Sequence, residues 1–412
     1  MERRIVITGM GAITPIGNSV QEFWEGLEQG KCGIDNITLI DVSQSKVKLG
    51  AEIKNLNLLD YFTAKELKSY DRFSMLAIIA ERELMKNSGL DIEKIDNTRF
   101  GVAIASGIGG LQTIEENKKI QLEKGFDKVS PRYIPAAISN MATGNIAIEV
   151  KAKGESFCMS TACASATHTI GECFRIIKHG YQDLMITGGT EAAITATGMS
   201  GFVNIKAVTT TQDKIRASIP FDKERHGFVM GEGAGLILLE ELEHAKKRGA
   251  KIYAEVVGFG STSDAFHITA PSPEGEGGAR AMINAIKDAN ITPEQIDYIN
   301  AHGTSTPLND KCETKAIKKA LGEHSKKVMI SSIKGNIGHL LGAAGGVEAI
   351  ACIKAINEGK VPPTIGYKVF DEECDLDIVP NIMRNANVTY AMSNSLGFGG
   401  HNSTIIFKKY ED

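Results

Sequence analysis

Short apolar runs alternate with amphipathic stretches along most of the chain, the pattern of an α/β architecture. Arg4 to Thr8 reads as a strand, as do Phe100 to Ala105, Leu184 to Thr187 and Gly235 to Leu239. Ser19-Val-Gln-Glu22 has the spacing of a capping box. It opens a helix carrying Phe23, Trp24 and Leu27, with Gly30 just past its end. Phe73 to Asn87 predicts another helix. Glu155 to Met159 is strand-like and gives way to a helical run from Ala164 to Lys178. Further on, strands at Asp297 to Ile299 and Thr404 to Phe407 bracket a helix of small residues from Leu340 to Glu348.

The pattern repeats itself. Ile252-Tyr-Ala-Glu-Val-Val-Gly-Phe-Gly260 resembles the opening Ile5-Val-Ile-Thr-Gly-Met-Gly11. Lys86 to Asp96 and Lys287 to Asp297 follow one plan: the end of a helix, a short capped turn, then a strand. Self-similarity at this scale predicts an internal duplication, with halves at 1–250 and 251–412 and a site where strand ends from both halves meet.

Composition narrows the class. The chain has 412 residues and a net charge of −4, with no long block of like charge, so nothing marks it as a nucleic-acid binder. Its apolar runs are too short to span a membrane, and Met1 to Thr8 runs into a strand without the features of a signal peptide. Seven irregularly spaced cysteines form neither a disulfide framework nor a CxxC metal pair, which predicts a reduced, cytoplasmic protein. Gly9-Met-Gly-Ala-Ile-Thr-Pro-Ile-Gly17 suggests a dinucleotide loop. However, its third glycine is misplaced, Pro15 interrupts the helix start and no acidic ribose ligand follows.

Cys163, within Ser160-Thr-Ala-Cys-Ala-Ser-Ala166, stands at a strand-to-helix junction. Unpaired backbone N–H groups and the positive end of the helix dipole favour a thiolate there, so the position predicts a nucleophile. Three other segments pair reactive side chains with glycine. They are Asn300-Ala-His-Gly-Thr-Ser-Thr-Pro307, Ser331-Ser-Ile-Lys-Gly-Asn-Ile-Gly-His339 and Asn394-Ser-Leu-Gly-Phe-Gly-Gly-His-Asn402. A lone histidine, lysine or glycine turn is usually structural; four such loops in one chain point to a site.

With RRIVITGMGAITPIGN at the start, these segments resemble the β-ketoacyl-acyl carrier protein synthases, most of all the elongating type II condensing enzymes of bacterial fatty-acid synthesis. The resemblance covers essentially the whole chain. It implies a thiolase-like fold of duplicated halves in a five-layer αβαβα sandwich, assembled as a homodimer. It implies an acyltransferase of the 3-oxoacyl-acyl carrier protein synthase II type. Cys163 then holds the acyl chain, and decarboxylated malonyl-acyl carrier protein supplies the carbanion. His302 and His339 match the pair that stabilises the enolate, Lys334 the essential lysine, and Glu348 the carboxylate that holds it. The N–H groups of Cys163 and Phe398 match the oxyanion hole, and Phe398 also matches a gate over the cysteine.

Binding residues follow by the same resemblance. Thr304, Thr306 and Thr269 match pantetheine contacts, and Ile108 and Phe202 match the acyl pocket. Lys65, Lys68, Lys128 and Lys206 match the basic dock for acidic carrier protein. Ser69 and Asp127 stand where relatives are often basic, His401 where many have threonine and Leu396 where many have phenylalanine. No metal or resident cofactor is implied, since phosphopantetheine arrives on the carrier protein. A polyketide-type ketosynthase is the nearest alternative. A non-catalytic partner subunit would lack the cysteine, a degradative thiolase would need a second reactive cysteine near the C-terminus, and priming synthases pair cysteine with His and Asn.

Overall fold

The computed structural model describes residues 3–411; Met1, Glu2 and Asp412, the outermost ends of the two expected halves, lie outside the described residues. Ten strands form the main sheet: β1 (Ile5–Ile13), β2 (Phe100–Ala105), β3 (Ser156–Phe157), β4 (Leu184–Glu191), β5 (Gly233–Glu241), β6 (Ala254–Ser263), β7 (Tyr298–Asn300), β8 (Met329–Ser331), β9 (Tyr390–Gly397) and β10 (His401–Lys408). Their order across the sheet is β8-β7-β9-β10-β6-β1-β5-β4-β2-β3.

That order contains the duplication. Outward from β1 the first half runs β1-β5-β4-β2-β3, and outward from β6 the second runs β6-β10-β9-β7-β8. The directions repeat too: antiparallel, antiparallel, parallel, parallel in each half. The two five-stranded units are not separate sheets. Instead, Ile5–Ile7 pair with Ala254–Val256 and join the five-stranded units along one ladder.

The helices used below are α1 (Val20–Glu28), α2 (Arg72–Ser88), α3 (Met141–Glu149), α4 (Ser165–Lys178), α5 (Glu276–Asp288), α6 (Pro307–Leu321) and α7 (Ala344–Glu358). Burial of both strand faces creates the layers. On β5, Leu236 and Leu238 face a cluster with α2 and α3, whereas Ile237 and Leu239 face a cluster with α4 and α7. The same inner cluster takes in Phe259, Ala391 and Ile405 of the second unit, so α4 and α7 form the middle layer. Helices α5 and α6 cover the far side. The result is αβαβα.

Local signals hold with small shifts. Ser19 caps α1 and accepts from Glu22 N, but the Glu22 carboxylate reaches back to the N–H of Asn18 rather than that of Ser19. β1 runs on through the suspect glycines. A Cβ at Gly11 would stand 1.8 Å from the Ala80 carbonyl oxygen, so this glycine lets α2 lie directly on β1 and does not form a phosphate turn.

Candidate active site

The Cys163 loop is a tight turn between β3 and α4. Ala162 adopts a left-handed φ of 51°. The Ser165 hydroxyl ties the turn, accepting from Thr161 N at 2.8 Å and donating to Ala162 O at 2.6 Å. Cys163 itself lies just before the N-cap residue Ala164. Gly397, at the end of β9, passes so near that a Cβ there would stand 3.2 Å from Cys163 N. Gly399 and Gly400, with φ of 83° and 74°, form the turn beyond Phe398.

The protonation expected of the cysteine is corrected by its surroundings. Cys163 is buried, and burial pushes its thiol up to about 12 against the opposing pull of the Lys334 ammonium. Desolvation of a thiolate outweighs the helix end here. Burial thus favours the thiol over the thiolate at rest.

Two bases stand beside it. The Cys163 sulfur and one nitrogen from each of His302 and His339 all lie within 4.8 Å of one another. His302 follows β7, where the Glu313 carboxylate fixes its loop by accepting from His302 N at 2.7 Å and Gly303 N at 2.8 Å. Lys334 donates to the His302 carbonyl at 2.5 Å and to the Glu348 carboxylate. His339 is anchored through its own N–H to Val229 O at 2.7 Å.

Both imidazoles are neutral. Burial holds each well below the ordinary histidine range, helped by the Lys334 charge and, for His302, by His339. Leu341 N–H donates to His339 Nδ1 at 3.3 Å, which assigns the ring proton to Nε2. That Nε2 is buried without a partner, as is His302 Nδ1. A buried N–H without a protein partner is a ready donor to a developing oxyanion.

These groups open into a cavity of about 400 Å³ that Cys163, His302, His339, Thr304, Thr306 and Phe398 help to line. Phe202, Thr269 and Lys206 lie on its wall and mouth. The Thr304 and Thr306 hydroxyls are hydrogen-bonded at 2.9 Å. Phe398 stacks at a tilt on Phe202, Phe202 edge-on to Phe228, and Phe228 edge-on to His339. Ile108 is not on the cavity wall but packs in the apolar cluster around Cys163. Lys65, Lys68 and Lys128 are exposed and away from the cavity.

Sequence reading overlooked several supports. Glu191 is buried and accepts from Ser106, Gly107, Ile108 and Gly342. Glu313 is fully buried, with its carboxyl pushed up to about 7 by desolvation. Arg225 donates to the Thr306 and Pro307 carbonyls and pairs with Asp371, holding the threonine loop. Each carboxylate left a faint signal: a glutamate ending an otherwise uncharged strand, and one inside the buried face of α6.

A duplicated thiolase-like frame that sets a cysteine against two neutral histidines defines a condensing acyltransferase. Residues 2–245 match the family described as Beta-ketoacyl synthase, N-terminal domain, and residues 253–368 match Beta-ketoacyl synthase, C-terminal domain. The chain belongs to the β-ketoacyl synthase family. It is 52% identical over 409 residues to 3-oxoacyl-(acyl-carrier-protein) synthase 2 of Staphylococcus aureus (strain COL), covering 99% of both chains. It is 50% identical over 411 residues to the protein of that name from Synechocystis, covering 100% of this chain and 99% of the relative. Among solved structures, a β-ketoacyl synthase from Burkholderia phymatum superposes with a TM-score of 0.92 at 34% identity over the whole of both chains. A ketosynthase complex described as a type II PKS acyl-carrier protein with its ketosynthase bound to the hexaketide gives 0.92 at 33%, also over both whole chains.

Proposed function

We propose that this enzyme extends fatty acyl chains by two carbons through decarboxylative Claisen condensation with malonyl-acyl carrier protein. The observation that carries the proposal is the Cys163 sulfur within 4.8 Å of a nitrogen from each of two buried imidazoles that line one cavity with it. In the first half-reaction, Cys163 attacks the acyl thioester and its proton passes through a histidine to the departing carrier thiol. The S-acyl bond to Cys163 forms as the one to the carrier breaks. The N–H groups of Cys163 and Phe398 serve the oxyanion, and Gly397 keeps the first of them open.

In the second half-reaction, malonyl thioester loses CO₂, and the electron pair of that C–C bond becomes the enolate. His339 Nε2–H and His302 donate to the enolate oxygen, each donor worth about 3 kcal/mol at the transition state. The carbanion attacks the acyl carbon, and Cys163 leaves as a thiolate that regains a proton. Lys334 acts through the His302 carbonyl, and Glu348 holds the ammonium in place. Thr304, Thr306 and Thr269 receive the pantetheine arm. Phe398 gates the cysteine, and Ile108 with Phe202 bounds the acyl chain. No resident cofactor enters this scheme, because phosphopantetheine arrives on the carrier.

The carrier docks with Lys206 at the mouth and Lys65, Lys68 and Lys128 as outlying cations. A second copy of the chain covers the edge of β3 and the exposed apolar side chains Leu122, Phe126, Ile134, Ile138 and Ile148; such a surface supports a homodimer. We place the enzyme in the cytoplasm, a reading supported by seven free cysteines. Among the described residues no helix is long and apolar enough to cross a membrane.

The decisive experiment is Cys163→Ala. It should abolish label transfer from acyl-carrier thioester while malonyl decarboxylation continues; undiminished acyl transfer would sink the mechanism. Mass spectrometry of products from primers of several lengths separates fatty-acid elongation from polyketide assembly.

A further inference from the structure

Two turns of the chain are built alike, and only one carries the nucleophile. Ala162, with φ of 51°, stands three residues before the start of α4, and Leu341, with φ of 48°, three before the start of α7. Under the strand repeat, Cys163 therefore corresponds to Gly342. Gly397, the last residue of β9, corresponds to Glu191, the last residue of β4; both strands are eight residues long.

The two pairs do opposite things. At the first turn Gly397 brings no side chain and leaves the neighbourhood of Cys163 N open. At the second, Glu191 fills the matching space with its carboxylate, which accepts from Gly342 N at 3.0 Å. Its oxygens also take Gly107 N at 2.8 Å, Ile108 N at 3.3 Å and the Ser106 hydroxyl at 2.9 Å. The side chain is fully buried. The second turn thus has an anion hole of its own, occupied from within by the chain's own carboxylate.

What Glu191 joins gives it a role. Ser106 to Ile108 follow β2 and carry Ile108 into the apolar cluster around Cys163. Gly342 follows Leu341, whose N–H fixes the His339 tautomer. The two backbones touch: a Cβ on Gly342 would stand 2.3 Å from Gly107 N. We infer that Glu191 is a positioning residue that plugs the second anion hole and locks the loop beneath the acyl chain to the turn that orients His339.

The inference rests on the condensing reading, so wild-type condensation is measured first; absence of β-ketoacyl product would bring down that reading and this one together. Given an active wild type, Glu191→Ala should lower condensation by between about tenfold and a hundredfold, the cost of a small misplacement at a reacting centre. Alkylation of Cys163 by iodoacetamide should be no slower than in wild type. Sodium formate, small enough for the vacated hole, should restore condensation, whereas sodium chloride at equal ionic strength should not. Glu191→Gln keeps the side chain's size but turns an amide NH₂ against backbone donors; it should show the same split without formate rescue. Wild-type condensation in either variant overturns the inference, as does a folded Glu191→Ala that formate leaves unchanged. Parallel loss of alkylation and condensation would mark a general structural role and overturn it equally.

Discussion

Lys334 and Glu348 form an ion pair that is 1% exposed on both side chains. Either partner left alone is a buried charge without compensation. Lys334→Met or Glu348→Leu should each cost about 4 kcal/mol. For 412 residues the entropy of unfolding is about 0.9 kcal/mol/K, so each single variant should lose about 4–5 °C in Tm. The double variant removes both charges and should lose no more than the worse single one, giving a coupling of at least about 4 kcal/mol. The Lys334→Met cost should grow with pH. Burial pushes the Glu348 carboxyl up and only the lysine opposes this, so without Lys334 the native state binds a proton that the unfolded chain has already lost. Stability is then present at low pH and lost as pH rises through the raised value. Calorimetry of the four proteins at pH 5 and pH 8 supplies the cycle. Additive single effects, or a Lys334→Met loss that ignores pH, would refute the reasoning. All three variants should fail to condense, because the His302 carbonyl loses its charged donor without Lys334, and without Glu348 that donor is no longer held in place.

Other expectations follow from burial and contact. The Cys163 thiol, pushed up to about 12, should alkylate at a rate that climbs about tenfold per pH unit from pH 6 to 9; a plateau below pH 8 would contradict a neutral resting thiol. Glu81 is buried on α2, and desolvation with the nearby Glu149 charge raises its carboxyl to about 8. Its native value exceeds its unfolded one, so its contribution is full below about pH 4.5 and lost by about pH 8. Glu81→Gln should therefore gain stability over wild type across that window, by up to about 4 kcal/mol at its alkaline end, and equal Tm differences at pH 5 and 9 would exclude this. Gly11→Ala forces a Cβ within 1.8 Å of Ala80 O and should destabilise by about 3 kcal/mol or more, read as a lower urea midpoint. An unchanged midpoint would mean that α2 does not lie on β1 as described.

Much of this was legible in the chain because period and punctuation are local. Strand β2 matched its expected bounds, and α4 began one residue later than expected. The four reactive loops carried Cys163, His302, Lys334 and Phe398 in short segments dense with glycine. What sequence could not supply was the state of those groups. Whether Cys163 rests as thiol or thiolate depends on how much apolar structure surrounds it, and Ile108, Met199, Phe202 and Leu341 arrive from distant segments. Glu191 and Glu313 left only a faint signal for the converse reason: a glutamate reads as a solvated side chain until its backbone donors are seen. Lys65, Lys68 and Lys128 could be named only by likeness, since an isolated surface cation has no local signature. The two-glycine opening misled because a glycine needed for close packing and one needed for a phosphate turn look the same in one dimension.

The repeat has a consequence for the chain as it folds. Cys163 is supplied by the first half, whereas His302, Lys334 and His339 are supplied by the second, more than a hundred residues later. The two imidazoles nearest the Cys163 sulfur thus both come from the second half. A chain with only its first half folded therefore lacks the two imidazoles that flank Cys163 in the finished enzyme. The Cys-His-His cluster is complete only when both units are in place, with α4 and α7 packed between them.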